Sequence, residues 1–339
     1  MIVRKFLLIT IFGLMVLGAG LGAGYVWGFH VERKALVASL NDIHPIRDHT
    51  TTYKFISPLL AYRIPSADQE AGLILLKNKI SDFVNNEKKK GLSDASLFFY
   101  DMNRGRWIGV NERQKYNPAS MLKVVIMVSY LKETEKDPGI LDKQLAYTSD
   151  MDIALKKNQY NSLSDLQIDE TYTVKNLIEK MITDSDNGAE ILLFDSIDKK
   201  DLNAIYQALN IASPDDITTD FVISPRAYSL FFRIIYSSTY LSRDLSEKAL
   251  SILSRTTFDD GIVAGLPTNL VVSHKFGEYV VPDKDNHIES IELHDCGIVY
   301  YPSYPYFLCI MTKGDNLDEL KGVIKNISSM IYETYGSYK

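Results

Sequence analysis

Tyr116-Asn117-Pro118-Ala119-Ser120-Met121-Leu122-Lys123 is the stretch from which the fold and the chemistry of this chain can be read. Asn117 can cap a helix and Pro118 fits the first helical position, so the pattern predicts a helix from Pro118 to about Lys132. Ser120 then lies in the first turn, where the helix dipole and free backbone N–H groups favour developing negative charge. Residues three apart on a helix are neighbours, with Cβ atoms about 5–6 Å apart. Lys123 is thereby placed to reach the Ser120 hydroxyl as base to nucleophile. An ordinary lysine, with a pKa near ~10.4, is neutral in fewer than about one copy in a thousand at pH 7. Burial and a second cation both lower that value, so a second lysine is expected in the same site.

Ser-x-x-Lys alone decides little, because the sequence holds three such segments. Ser129-Tyr130-Leu131-Lys132 falls inside the predicted helix and Ser196-Ile197-Asp198-Lys199 near the end of another. Neither has the electrostatic help of a helix start. Two further segments follow Ser120 in order. Ser185-Asp186-Asn187 occurs once, at the end of the amphipathic helix formed by Val174, Leu177, Ile178, Met181 and Ile182. Lys275-Phe276-Gly277 comes later, in a strand-like run. Lys89-Lys90-Gly91 matches the same spacing, so it is the position before two more strands that distinguishes Lys275.

Outward from these segments, Leu73, Leu76, Ile80 and Phe83 mark a helix over 67–89. Residues 95–101 and 106–111 read as a hairpin around Asn103-Arg104-Gly105. Helices follow around 188–196, 200–209, 224–237 and 246–254. Strands then return at 270–279, 291–301 and 306–312, before a last helix over 316–335. Strands split between the two ends of the chain imply one sheet closed by both halves. The expected fold is an α+β sandwich: a five-stranded antiparallel sheet flanked by N- and C-terminal helices, plus an all-helical lobe.

At the level of motifs the chain resembles the class A β-lactamase-related serine hydrolases, within the β-lactamase and penicillin-binding protein superfamily. The resemblance runs from about Ala95 to Gly314. It includes Tyr116–Lys123, Ile182-Thr183-Asp184-Ser185-Asp186-Asn187, Gly261–Pro267 and Ser273-His274-Lys275-Phe276-Gly277-Glu278. It implies a β-lactamase/transpeptidase-like fold in which Ser120 attacks an amide carbonyl and Lys123 takes its proton. Ser185 would relay a proton to the leaving nitrogen, with the charge of Lys275 beside it. Asn187 would bind the substrate's side-chain amide, and the N–H groups of Ser120 and Glu278, following Gly277, would form the oxyanion hole. Asp186 would fix its loop rather than take part in the chemistry. The expected substrates are β-lactams or D-Ala-D-Ala-like cell-wall peptides, with no cofactor.

Two departures qualify that expectation. The Glu-x-x-Leu-Asn loop that activates the deacylating water in such β-lactamases is absent, and residues 211–225 offer only Asp215, Asp216 and Asp220. Phe276 stands where the family motif has a hydroxyl residue that helps to hold the substrate carboxylate. Deacylation is therefore expected to be slow, and a D,D-peptidase or penicillin-binding enzyme is an alternative. A non-catalytic wall-binding scaffold is another, opposed by the intact Ser120, Lys123, Ser185, Asn187 and Lys275.

The N-terminus reads as a membrane anchor. Phe6 to Phe29 carries no charge and follows Arg4 and Lys5, enough to span a bilayer from a cytoplasmic start. Cleavage as a signal at the small residues 19–24 is the alternative. The expected division is an anchor over 1–29, a linker over 30–66 whose apolar part at 53–64 docks on the domain, and an extracytoplasmic domain over 67–339. A net charge of −6 gives no basic face for nucleic acid. The six histidines show no close metal-ligand spacing, and His274 and His294 read as structural. Cys296 and Cys309 lie symmetrically about Pro302-Ser303-Tyr304-Pro305. They can face each other as a disulfide, although two small buried apolar residues is the simpler reading.

Overall fold

The computed structural model describes residues 44–47, 53–63, 71–157, 164–214, 221–285 and 287–335. In chain order, β1 (His44–Arg47) pairs with β2 (Leu59–Arg63) and is followed by α1 (Ala71–Lys88), β3 (Asp94–Asp101) and β4 (Trp107–Val110). Next come α2 (Lys123–Glu133), β5 (Gln144–Ala146), α3 (Ser149–Lys157), β6 (Thr171–Thr173) and α4 (Val174–Thr183). Helices α5 (Asn187–Ser196), α6 (Lys199–Ala208), α7 (Pro225–Tyr236) and α8 (Arg243–Leu253) complete the central lobe. The chain closes with β7 (Val272–Pro282), β8 (Ile288–Val299), β9 (Tyr306–Gly314) and α9 (Leu317–Tyr335).

Strands β4-β3-β9-β8-β7 form one antiparallel sheet, so the early hairpin joins the late strands at β3–β9 as the split of strands implies. Period-two alternation then sorts the side chains onto two faces. Leu97 and Phe99 of β3, with Leu308 and Ile310 of β9, pack under α1 and α9 through Leu76, Ile80, Ile324 and Ile327. Phe98 and Tyr100, with Phe307 and Met311, face the helical lobe, where α7 brings Phe231, Phe232 and Ile235. The fold is thus the expected sandwich with an added helical lobe.

The structure departs from the expected helix over Pro118–Lys132. Ala119–Leu122 is a 3₁₀ turn, and α2 begins only at Lys123. Ala119 adopts φ +46°, and the Asn117 carboxamide accepts the Ala119 N–H at 2.9 Å instead of capping a longer helix. The left-handed residue interrupts a regular helical entry. Strands β5 and β6 and helix α3 were not expected: three-residue strands carry too little alternation to read, and α3 is a short, largely exposed helix.

Cys296 and Cys309 are register partners on β8 and β9 and form a disulfide. The simpler reading of two separate apolar residues therefore gives way to a cross-strand link on the helical-lobe face. The apolar segment before β2 also docks: Ser57 N–H donates to Tyr236 O and Leu59 N–H to Ser237 O. Glu247 accepts the N–H groups of Lys54, Phe55 and Ile56 at 2.7–3.0 Å. The uncharged run Phe6–Phe29 lies outside the described residues, and among those described no helix is long and apolar enough to cross a membrane.

The disulfide closes a loop with a sequence separation of 13 residues. A C296A/C309A double variant is expected to keep the fold while losing about 2–3 kcal/mol of stability. Urea unfolding of both proteins measures the difference, and superimposable curves would show that the strand pairing alone holds the hairpin.

Candidate active site

Three segments distant in sequence meet at the inner end of β7. The first is the 3₁₀ turn bearing Ser120, which is half-buried, and the start of α2, which carries the fully buried Lys123. The second is the Ser185-Asp186-Asn187 connection between α4 and α5. Asp186 caps α5 by accepting the Ala189 N–H at 2.8 Å, and it also accepts Ser164 Oγ–H and the Asp165 N–H, each at 2.9 Å. That role is the structural one expected of it. With Asp186 so fixed, Ser185 is held at φ +57°, a conformation costing a non-glycine residue roughly 1–3 kcal/mol.

The third segment is β7, the edge strand, with Lys275 buried and Gly277 two residues on. A Cβ at Gly277 would collide with Pro118 O and press on Met121 Cγ at 3.1 Å. Glycine at 277 is what lets the strand lie against the turn bearing Ser120. On the other side of the turn, Glu292 on β8 accepts the Asn117 N–H at 2.9 Å. His294 accepts the Thr312 N–H on Nδ1 at 3.3 Å, which leaves Nε2 to donate to Asn117 O at 3.0 Å. The backbone entering Ser120 is therefore clamped from the sheet at both its donor and its acceptor. His294 serves this clamp, and His274 pairs with Asp295 at 2.8 Å, in keeping with structural roles for both.

The charges converge on Ser185. Lys123 Nζ donates to Ser185 O and Asn187 Oδ1, both at 2.6 Å, and to Ser185 Oγ at 3.2 Å. Lys275 Nζ donates to the same Ser185 Oγ at 2.9 Å and to Phe276 O at 3.1 Å. Two lysine amines thus share one hydroxyl. Among the described residues no hydrogen bond reaches Ser120 Oγ. The expected direct contact from Lys123 is replaced by the acceptors of the 185–187 segment, which converge on its amine. Glu190, in the first turn of α5, approaches Lys123 Nζ at 3.4 Å and was not foreseen from the motifs. Its place three residues after Asn187, on the same helix face, was the available signal.

Burial pushes Lys123 below the ordinary lysine value of 10.5, and Glu190 opposes that drop. Burial pushes Lys275 well below the same value, and the neighbouring charge of Lys123 pushes it further. Of the predicted substrate-binding residues, Asn187 accepts from Lys123 Nζ and Gly277 lies against Pro118 and Met121, while Glu278 is the half-exposed residue after Gly277 on β7. Asp215, Asp216 and Asp220 lie outside the described residues. Elsewhere, the exposed residues Asp283, Asp285 and His287 come together at the turn between β7 and β8. There Asp283 Oδ1 accepts the N–H groups of Asp285 and His287, both at 2.8 Å, and so shapes the turn.

A half-buried serine in a turn ahead of α2, a serine shared by two lysines and a glycine-bearing edge strand fit the class of β-lactamase-like serine hydrolases. The sequence matches the beta-lactamase enzyme family over residues 75–335, and the chain belongs to that family. It is 26% identical over 206 residues to a beta-lactamase of Streptomyces fradiae, a match spanning 54% of this chain and 65% of that protein. It is 23% identical over 278 residues to a beta-lactamase of Streptomyces albus G, spanning 73% of this chain and 83% of that one. Its fold is shared with a PBP-A variant solved as an acyl-enzyme complex with penicillin G. That structure aligns with a TM-score of 0.65 at 22% identity, over 80% of this chain and all (100%) of the other.

Between the depressed folded pKa of Lys275 and 10.5, the unfolded chain binds a proton that the native state does not. Stability therefore rises with pH through that window and is reduced below it. Lys275→Met is expected to make that slope shallower and to stabilise the protein near neutral pH by about 1 kcal/mol. Urea unfolding across a pH series reads both effects, and a variant with the wild-type slope would mean that Lys275 keeps an ordinary pKa.

Proposed function

We propose that this chain is a serine hydrolase acylated at Ser120 by β-lactams or by D-Ala-D-Ala-like cell-wall peptides. Ser120 Oγ adds to the carbonyl while the neutral amine of Lys123 takes its proton, closing on the hydroxyl once substrate fills the site. The N–H groups of Ser120 and Glu278 hold the developing oxyanion. The carbon–nitrogen bond then breaks, and the proton passes through Ser185 to the leaving nitrogen, leaving an ester on Ser120. Lys275 holds Ser185 in place, and Asn187 contacts the substrate's side-chain amide. The observation that carries this reading is the approach of both Lys123 and Lys275 to Ser185 Oγ, at 3.2 and 2.9 Å. Crowding two cations around one hydroxyl favours loss of a proton from one of them, which a general base requires.

Within this chemistry, a penicillin-binding type with a long-lived acyl-enzyme is favoured over an efficient β-lactamase. Its support is the missing Glu-x-x-Leu-Asn segment, without which no glutamate from that loop activates water. That a PBP-A mutant of the same fold was solved as an acyl-enzyme complex with penicillin G is in keeping with acylation, without bearing on how fast the acyl group is lost. The uncharged run Phe6–Phe29 after Arg4 and Lys5 supports an anchored enzyme facing away from the cytoplasm, where cell-wall substrates lie.

The full chain incubated with a fluorescent penicillin is expected to gain one label, seen by intact mass, that persists for hours. Ser120→Ala should abolish it, and undiminished labelling of that variant would refute the assigned nucleophile. Rapid loss of label would instead indicate β-lactamase turnover, and no label would support a scaffold.

The acylation rate is expected to rise with pH as the base loses its proton, levelling off below 10.5. Glu190 raises the pKa of both lysines, so Glu190→Gln should move that rise to lower pH. A profile unmoved by the change would contradict a lysine base.

A further inference from the structure

Away from the active-site cluster, arginines stand on aromatic rings along one edge of the sheet. Strand β4 is the edge opposite β7, and its Trp107 is the register partner of Tyr100 on β3. Helix α7 lays Arg226 over the Trp107 ring, 4.5 Å from its centroid, and Arg233 over the Tyr100 ring at 4.2 Å. Residues seven apart share one helix face, so these two partly exposed side chains form a stripe. The stripe continues into the β3–β4 turn, where Arg104 stands over Tyr304 at 4.8 Å and Arg106 lies 3.5 Å from Asp101. Trp107 itself is 37% exposed, one of few large apolar side chains left open to solvent among the described residues.

Little negative charge answers these arginines. Neither α7 nor the stretch from Met102 to Val110 holds an acidic residue. Asp101 is buried and accepts the Asn103 and Arg104 N–H groups, and Glu112 is shared between Arg113 and Arg226, each at 3.7 Å. Glu333 is exposed on α9, which covers the other face of the sheet. In a chain of net charge −6, this edge is locally basic.

The N-terminal segment arrives at the same place. Arg47 of β1 donates to Met102 O at 2.7 Å and lies over the ring of Tyr236, the last residue of α7. Residues 30–43 separate β1 from the uncharged run Phe6–Phe29, and a chain of that length spans at most about 50 Å. A bilayer holding that run is thus within reach of the basic edge. Strand β7 lies four strand spacings away across the sheet, roughly 19 Å.

We infer that the edge formed by Trp107, Arg226, Arg233, Arg104 and Arg106 docks on the anionic phospholipid headgroups of the membrane that holds residues 6–29. This rests on the reading of that run as an anchor. Guanidinium groups hold lipid phosphates with paired N–H donors, and the indole lies at the headgroup level, where tryptophan is enriched. The β7 edge then faces away from the bilayer, open to cell-wall substrates.

The sequence has two tryptophans, Trp27 and Trp107, so Trp27→Phe leaves Trp107 as the reporter. The full chain carrying that change is reconstituted in vesicles of phosphatidylcholine, with or without phosphatidylglycerol, doped with a lipid spin-labelled on its headgroup. Trp107 emission is expected to fall about twofold in the phosphatidylglycerol vesicles and to recover in about 1 M salt, where the screening length is about 3 Å. It should stay unquenched in phosphatidylcholine alone, and when Arg226→Glu and Arg233→Glu are combined. Co-flotation of the chain with both kinds of vesicle at high salt tests the anchor separately. A chain that floats without quenching, or quenching indifferent to lipid charge and salt, refutes the docking edge while the anchor stands. A chain that floats with neither vesicle refutes the anchor and this inference with it. Emission altered by soluble polyphosphate but not by vesicles would assign the edge to a free polyanion and refute the membrane as its partner. Should the double variant not fold, as judged by circular dichroism, the lipid and salt comparison still decides.

Discussion

Two buried lysine side chains reaching one serine hydroxyl are the constraint on which the rest of the structure turns. Burying a single ammonium is costly, and burying two side by side costs more. The fold meets that cost with acceptors supplied from elsewhere: Ser185 O, Asn187 Oδ1 and Glu190 around Lys123, and Phe276 O beside Lys275. What the acceptors do not offset appears as depressed basicity at both amines. In the proposed mechanism this destabilised charge would supply the base, so the stability cost and the reactivity would have one origin.

Holding that arrangement requires rigid supports on all sides. The left-handed conformations at Ala119 and Ser185 stand on either side of the cluster, and each is over-determined by its surroundings. Asp186 ties the second to the 164–165 segment and to α5, while Glu292 and His294 grip the backbone leading into the first. Gly277 lacks the Cβ that would keep the edge strand away from the turn bearing Ser120. The disulfide between β8 and β9 fastens the sheet from which that clamp projects.

Much of this was legible from residue order. Alternation and helical spacing located the five main strands and most helices, because long periodic segments carry the strongest signal. The three motifs identified the cluster: two sit at boundaries between elements, at the start of α2 and the end of α4, and the third lies within the edge strand β7. Glu190 escaped notice since an acidic residue in a first helical turn is common for dipole reasons alone. The clamp on Asn117 was invisible because Glu292 and His294 are far from it in sequence and approach only across the folded sheet. Likewise, Phe276 could be read as a missing hydroxyl, whereas the ring it stacks on, Phe258, is supplied by a loop whose position only the tertiary structure fixes. The cysteines showed the opposite limit: symmetry about the turn allowed the link, and register alone decided it.

The account stands or falls on an amine that is unprotonated where a lysine ordinarily is not. Nitrogen-15 NMR titration of the lysine side chains, with Lys123→Arg and Lys275→Arg variants to assign the signals, measures this directly. At least one of the two should titrate well below 10.5, with its resonance moved when the other is replaced. Two lysines titrating independently at the ordinary value would contradict the shared cluster and, with it, the assigned chemistry.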